Sequence, residues 1–164
     1  MADRLFNVLF LCTHNFARSV MAEALLNTIG QGRFHAFSAG SMPSGRVNPF
    51  ALEMARTVGY LPENIRSKSW DEFAMPGAPK MDIIITVCDN AAGEACPIWP
   101  GHPATAHWGF PDPSNTVGSD DAKRHAFDNV FHAIRRRIDL LVNLPLEKIE
   151  HLALTNELKR IHKE

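Results

Sequence analysis

The stretch Leu5-Phe6-Asn7-Val8-Leu9-Phe10-Leu11-Cys12, continued by Thr13-His14-Asn15-Phe16-Ala17-Arg18-Ser19, decides how the rest of the chain is read. Its first part is almost unbroken in apolar character, too short for a helix, and suited to a strand covered on both faces. The run stops at Cys12. After the turn-like residues 13–17 a helical pattern starts near Arg18, with Met21, Leu25, Leu26 and Ile29 spaced for one buried face and Gly30 and Gly32 beyond its end. A cysteine, five residues and an arginine between strand and helix let the backbone curl into a nest of inward N–H groups, to which the helix adds its positive end. Such a cradle, built from Thr13, His14, Asn15, Phe16, Ala17 and Arg18, suits a tetrahedral oxyanion. The same field favours the thiolate of Cys12, with Ser19 in reach to donate to the sulfur and Arg18 able to clamp two oxygens bidentately.

Outward from this segment, Phe34 to Ala39 reads as a second strand, followed by a connector through Pro43, Gly45 and Pro49. A helix carrying Phe50, Leu52, Met54, Ala55 and Val58 comes next and closes at Gly59. An irregular region holding Arg66-Ser67-Lys68 and residues 70–73 leads to the β-branched strand 81–87, which ends at Cys88. A loop rich in Gly and Pro then reaches a short fourth strand at Thr105-Ala106-His107-Trp108, and another loop contains Asp112-Pro113. Phe127, Val130, Phe131, Ile134, Ile138 and Leu141 trace one face of a long helix from Asp121 that ends before Pro145. The pattern divides the chain into a main domain, 1–145, and a helical extension, 146–164, whose Leu146, Ile149, Leu152, Leu158 and Ile161 could pack on the domain, meet a partner or fray. Strands alternating with helices predict an α/β fold with an open, mostly parallel sheet covered on both faces. Ligands then bind at the carboxyl ends of the strands, where Cys12 and Cys88 both fall.

Composition narrows the function. Seventeen basic against eighteen acidic residues in 164 give a formal charge of -1, which supplies no footprint for nucleic acid or an anionic membrane. No apolar run reaches the length of a membrane span and the start of the chain lacks signal-peptide character, so a cytoplasmic location is expected. Three cysteines, Cys12, Cys88 and Cys96, exclude a static disulfide framework and leave thiol chemistry open. Cys88, Cys96, His102 and His107 fit no common zinc spacing, and no metal site is expected.

The loop from Cys12 to Ser19 closely resembles the active-site loop of low-molecular-weight protein tyrosine phosphatases and of the arsenate reductases that share their fold. The resemblance implies a three-layer α/β sandwich with a four-stranded parallel sheet in the order 2-1-3-4 and helices on both faces. It implies Cys12 as nucleophile, Arg18 as clamp, Asn15 and Ser19 as loop-shaping residues and Asp112 as general acid. By itself, Asp112-Pro113 is ordinary turn chemistry. Residues 86–101, with Cys88 and Cys96, and His107-Trp108 resemble the redox segment of the arsenate reductase branch. There Cys12 attacks arsenate, Cys88 attacks Cys12 and releases arsenite, and Cys96 attacks Cys88 to leave a disulfide for an external reductant, thioredoxin or glutaredoxin/glutathione. In the order 2-1-3-4 the strands before Cys12 and Cys88 are neighbours about 4.8 Å apart, near the spacing of about 5.5 Å that a disulfide needs between alpha carbons. A helix over residues 89–95 would hold Cys88 and Cys96 roughly 12 Å apart, so that segment must loop out or melt for them to bond.

This implies an arsenate reductase acting in arsenic detoxification, with no tightly bound cofactor. A phosphatase hydrolysing phosphomonoesters through a phosphocysteine is the alternative. Phosphotyrosine enzymes usually carry tyrosines soon after the Asp-Pro pair, whereas Ser114-Asn115-Thr116-Val117 follow here and the one tyrosine is Tyr60. Phe16 stands where arsenate reductases usually have serine. Some arsenate reductases bind potassium near the loop through residues resembling Asn15, Glu23 and Ser38.

Overall fold

The protein is described by a computed structural model over residues 5–89, 103–146 and 151–162. Strand β1, Phe6–Cys12, ends in the cysteine itself and is followed by helix α1, Arg18–Ile29. Then come β2, Phe34–Gly40; α2, Pro49–Thr57; β3, Ile83–Thr86; β4, Ala104–His107; α3, Asp120–Val142; and α4, His151–His162. The sheet order is β2-β1-β3-β4 and every pairing is parallel.

Alternation sorts the strands' apolar residues onto two faces. Phe6, Val8 and Phe10 of β1 and Ile83 and Ile85 of β3 share one cluster with Met21, Leu25 and Leu26 of α1, Met54 of α2, and Ile134 and Ile138 of α3. Leu9, Leu11 and Ile84 point the other way, against Trp70 and Phe73 of the 3₁₀ helix Trp70–Phe73. Each fully buried Leu, Ile or Phe stabilises by about 1.5–3 kcal/mol, so the strand ends are held on a stiff platform.

The chain after Pro145 takes the first of the three courses its spacing left open. Leu154, Leu158 and Ile161 of α4 are buried in the main cluster, and the Trp108 indole donates to the Leu158 carbonyl at 3.0 Å. The strand expected over 81–87 is shorter, Ile83–Thr86, although the Val87 amide still donates to Leu11 O at 2.9 Å. Leu11 pairs with Thr86, so Val87 lies beside Cys12 and Cys88 one residue further on. Cys88 therefore stands two residues past the strand rather than at its end.

The helices start differently. At α2 the Asn48 side chain accepts from Phe50 N, with Pro49 in the first turn. At α3 the Ser119 side chain accepts from Ala122 N, with Asp120 and Asp121 in the first turn. At α1 the cap position is Ala17, which offers no side-chain acceptor, and the first turn holds no acid. Among the described residues no helix is long and apolar enough to cross a membrane.

Candidate active site

The curl after β1 depends on what lies around it. Met42 N donates to Thr13 O at 2.8 Å, Ser44 N to His14 O at 3.0 Å and Asn48 N to Phe16 O at 2.9 Å. A trans peptide points its N–H opposite to its C=O, so carbonyls drawn outward by the 42–48 segment turn the amides that follow them inward. That segment, which reads in sequence only as a connector, is the cradle's outer scaffold. Gly40 lets it come close: a Cβ there would lie 2.5 Å from Thr13 O and 2.9 Å from Asn15 N. Glycine is needed for that approach.

Asn15 takes the left-handed conformation, φ 48°, and is fully buried. Its side chain holds it there from both ends. Oδ1 accepts from Lys68 N at 2.9 Å, and Nδ2 donates to Ser19 Oγ at 2.9 Å. Ser19 Oγ, which accepts from Asn15, lies 3.0 Å from Cys12 Sγ, and its hydroxyl proton is the one that can be given to a thiolate there. The Lys68 amide, Asn15, Ser19 and the sulfur thus form one continuous hydrogen-bonded chain, able to end in a donor to the sulfur. Cys12 is a free thiol and 3% exposed.

Arg18, at the start of α1, donates through Nη1 to Phe110 O at 3.0 Å and places Nη2 3.5 Å from Asp112 Oδ2. Asp112 is itself the cap of the turn Pro113–Asn115, its Oδ1 accepting from Ser114 N at 3.0 Å and from Ser114 Oγ at 2.6 Å. The carboxyl is thus anchored on one oxygen and turned to the arginine with the other. Cys12, His14, Phe16, Ala17, Arg18 and Asp112 line one cleft of about 640 Å³. Ser44, Arg46, Asp89, Ser114 and Asn115 complete its wall; of these the sequence pointed to Ser114 and Asn115, as the residues that follow Asp112-Pro113, and to none of the others. For Asp89 the one signal was its place next to Cys88.

His14 sits at the rim, its Nδ1 3.0 Å from Met42 O. Thr13 contributes the carbonyl that anchors Met42. His107 faces Thr86 Oγ1 at 2.8 Å and Trp108 is fully buried under α4, so this pair joins β4 to its neighbours. Cys88 is fully buried and disulfide-bonded. Cys96 and most of the segment around it lie outside the described residues.

Behind the cradle, Glu23 is 4% exposed. Its Oε1 accepts from Ser38 Oγ at 2.8 Å and its Oε2 from the Tyr60 hydroxyl at 2.7 Å. Lys68 Nζ stands 3.7 Å from Oε1, with both side chains almost wholly enclosed. Burial pushes the Lys68 ammonium below its ordinary range while Glu23 pulls it back, and burial with the adjacent carboxylate pushes the Tyr60 phenol upward. The three residues that the resemblance associates with potassium are therefore already engaged. Asn15 Oδ1 and both Glu23 oxygens accept protein donors, and a lysine ammonium stands where a metal ion would have to approach. This arrangement does not fit potassium. Among the described residues no cluster of three or more His, Cys, Asp or Glu could hold a metal ion.

Residues 7–156 match the family described as low molecular weight phosphotyrosine protein phosphatase. An arsenate reductase of Halalkalibacterium halodurans is 34% identical over 131 residues, 80% of this chain and 91% of that protein. The arsenate reductase structure from Archaeoglobus fulgidus superposes with a TM-score of 0.68 at 28% identity, covering 84% of this chain and 99% of the other. A thioredoxin-dependent arsenate reductase of Corynebacterium glutamicum superposes with a TM-score of 0.57 at 25% identity, over 86% of this chain and 65% of that one.

Proposed function

The chain belongs to the low molecular weight phosphotyrosine protein phosphatase family, and from that premise we propose that it is an arsenate reductase of the arsenic-detoxifying kind, working through Cys12, Cys88 and Cys96. The observation that carries this reading is the pairing of two thiol states at one sheet edge. Cys12 is a free thiol at the end of a donor chain, while Cys88, on the neighbouring chain segment one residue past its register, is disulfide-bonded. A hydrolase needs only the first.

In the proposed cycle the Cys12 thiolate attacks arsenic(V) held by the loop amides and Arg18. Asp112 gives a proton to the departing oxygen, which leaves as water. Cys88 thiolate then attacks the Cys12 sulfur. A sulfur–sulfur bond forms, the sulfur–arsenic bond breaks, and its electron pair stays on arsenic, which leaves as arsenite. Cys96 thiolate attacks Cys88 and frees Cys12 as thiolate. Two thiols have then lost two electrons, and the cycle assigns the bond at Cys88 to Cys96 as its final state. An external dithiol protein of the thioredoxin class takes up that disulfide, a reading supported by the thioredoxin-dependent relative. A reducing, cytoplasmic setting suits the free Cys12.

The phosphatase alternative gains little from the cleft. Ser114 and Asn115 form the wall beyond Asp112, and the one tyrosine, Tyr60, is bonded to Glu23 behind the loop. An aryl phosphate would meet Ser114 and Asn115 rather than an aromatic wall beyond Asp112, with Phe16 of the loop as the one Phe, Tyr or Trp ring lining the cleft among the described residues. The test is direct: reduced protein with arsenate, thioredoxin, thioredoxin reductase and NADPH, beside hydrolysis of p-nitrophenyl phosphate. Arsenate-dependent NADPH consumption that disappears in Cys88→Ser and Cys96→Ser supports the relay. Hydrolysis indifferent to both changes, without arsenate turnover, makes the protein a phosphatase.

A further inference from the structure

We propose that Lys68 is a positioning residue whose ammonium neutralises Glu23 from within the chain, so that the cradle stays ordered and Cys12 reactive without any bound metal ion. The inference rests on the cleft being an oxyanion site, and not on which oxyanion is turned over.

Three observations converge on it. First, Glu23 lies one helical turn after Ser19 on α1, so the two share a face, and Ser19 is the hydrogen-bond partner of the Cys12 sulfur. An unneutralised carboxylate one turn behind Ser19 opposes both a thiolate and an arriving oxyanion, because like charges in an enclosed site disfavour one another. Second, the Lys68 ammonium is the cation in direct contact with Glu23: Nζ is 3.7 Å from Oε1, and it also donates to Arg66 O at 3.2 Å, while the Arg66 guanidinium, which also feels Glu23, is bonded to Glu72. Glu23's other partners, Ser38 and Tyr60, are neutral donors.

Third, the backbone of the same segment grips the cradle. Lys68 N donates to Asn15 Oδ1, Gly40 N donates to Lys68 O at 3.0 Å, and Ser67 Oγ donates to His14 O at 3.2 Å. The ammonium's hold on Glu23 and the amide's hold on Asn15 therefore come from one residue, tying the charge balance of the site to the left-handed turn that shapes it. Arg18 faces the substrate side with Asp112, and Lys68 faces Glu23 behind the loop.

The experiment reads Cys12 alone. In the oxidised protein Cys88 is disulfide-bonded and Cys12 is the free thiol, so iodoacetamide alkylation followed by mass spectrometry reports Cys12 reactivity, and protection by inorganic phosphate reports the cradle. Neither depends on arsenate turnover, so failure here is separate from failure of the reductase reading. In wild type, both should be the same in potassium, sodium and choline salts. Lys68→Met should slow alkylation and weaken phosphate protection by about tenfold, the effect of one pK unit, whereas Glu23→Gln/Lys68→Met, which removes both charges, should restore most of each. A lysine that only filled space would not be rescued by a second change at its partner. Should Lys68→Met fail to fold, the double variant read against wild type decides. The proposal is overturned by wild-type reactivity that needs potassium, by a folded Lys68→Met that behaves as wild type, or by a double variant that is impaired.

Discussion

Helices α1 and α3 meet the same problem at their first turns and answer it in opposite ways. Backbone N–H groups at a helix start have no partner within the helix, and the macrodipole makes that end positive. At α3 the chain supplies what is missing, with the Ser119 hydroxyl on Ala122 N and carboxylates at Asp120 and Asp121. At α1 the cap position is Ala17 and the only charged side chain in the first turn is another cation, Arg18. By local rules α1 begins badly. Its deficit is met by tertiary structure instead: the carbonyls of Thr13, His14 and Phe16 are drawn away by the 42–48 segment, and in the proposed function the missing negative charge is that of the nucleophile and the oxyanion. A helix start that leaves its own needs unmet marks a place built for something else.

The largest expected effect separates the nucleophile from the cradle. Cys12→Ser should abolish turnover, because a serine at this site lacks a base to activate it, while phosphate binding measured by calorimetry is retained, since the inward amides and Arg18 remain. Loss of phosphate binding in that variant would mean that the thiolate, and not the open helix start, organises the loop. Next comes Asp112→Asn, which keeps the Ser114 contacts but has no proton to give. It should lower kcat by about 10²-fold or more, with KM for arsenate little changed. A pure KM effect would make Asp112 a partner of Arg18 only.

How much of this was legible follows the same division. The strand β1, the helix α1 and the long helix α3 announce themselves, because an apolar run closed by Cys12 and the spacing from Phe127 to Leu141 are local signals. The cysteine, arginine and aspartate are likewise visible as residue types at a spacing. The scaffold of the cradle is not. The 42–48 segment touches residues 13–16 through backbone atoms, which leave no trace in side-chain pattern. Lys68 reaches Asn15 and Glu23 across 53 and 45 positions of chain, by an amide and by an ammonium that composition would place in solvent. Gly40, the last residue of β2, is the one local hint that two backbones meet there.

A smaller change makes α1 imitate α3. Ala17→Asp places a carboxylate at the uncapped start, beside the cleft that Ala17 lines. It should weaken phosphate protection of Cys12 by at least about tenfold, the effect of one like charge at close range, with the melting temperature falling less than binding does. If binding survives, the first turn of α1 contributes little to the cradle and Arg18 carries it alone.

The smallest effect is the converse. Ser119→Ala removes the side-chain acceptor from the start of α3, far in function from the cleft, and leaves Asp120 and Asp121 in place. Loss of a serine cap costs about 1 kcal/mol, which denaturant unfolding would register as a lower midpoint at unchanged slope. Arsenate turnover and phosphate protection should be untouched, because neither Ser119 nor the first turn of α3 lines the cleft. The pair of variants forms a crossed design: Ala17→Asp moves binding more than stability, Ser119→Ala moves stability and not binding. If Ser119→Ala also disturbs binding, the two helix starts are coupled through the Asp112 turn that precedes α3, and the open end of α1 is not an independent device.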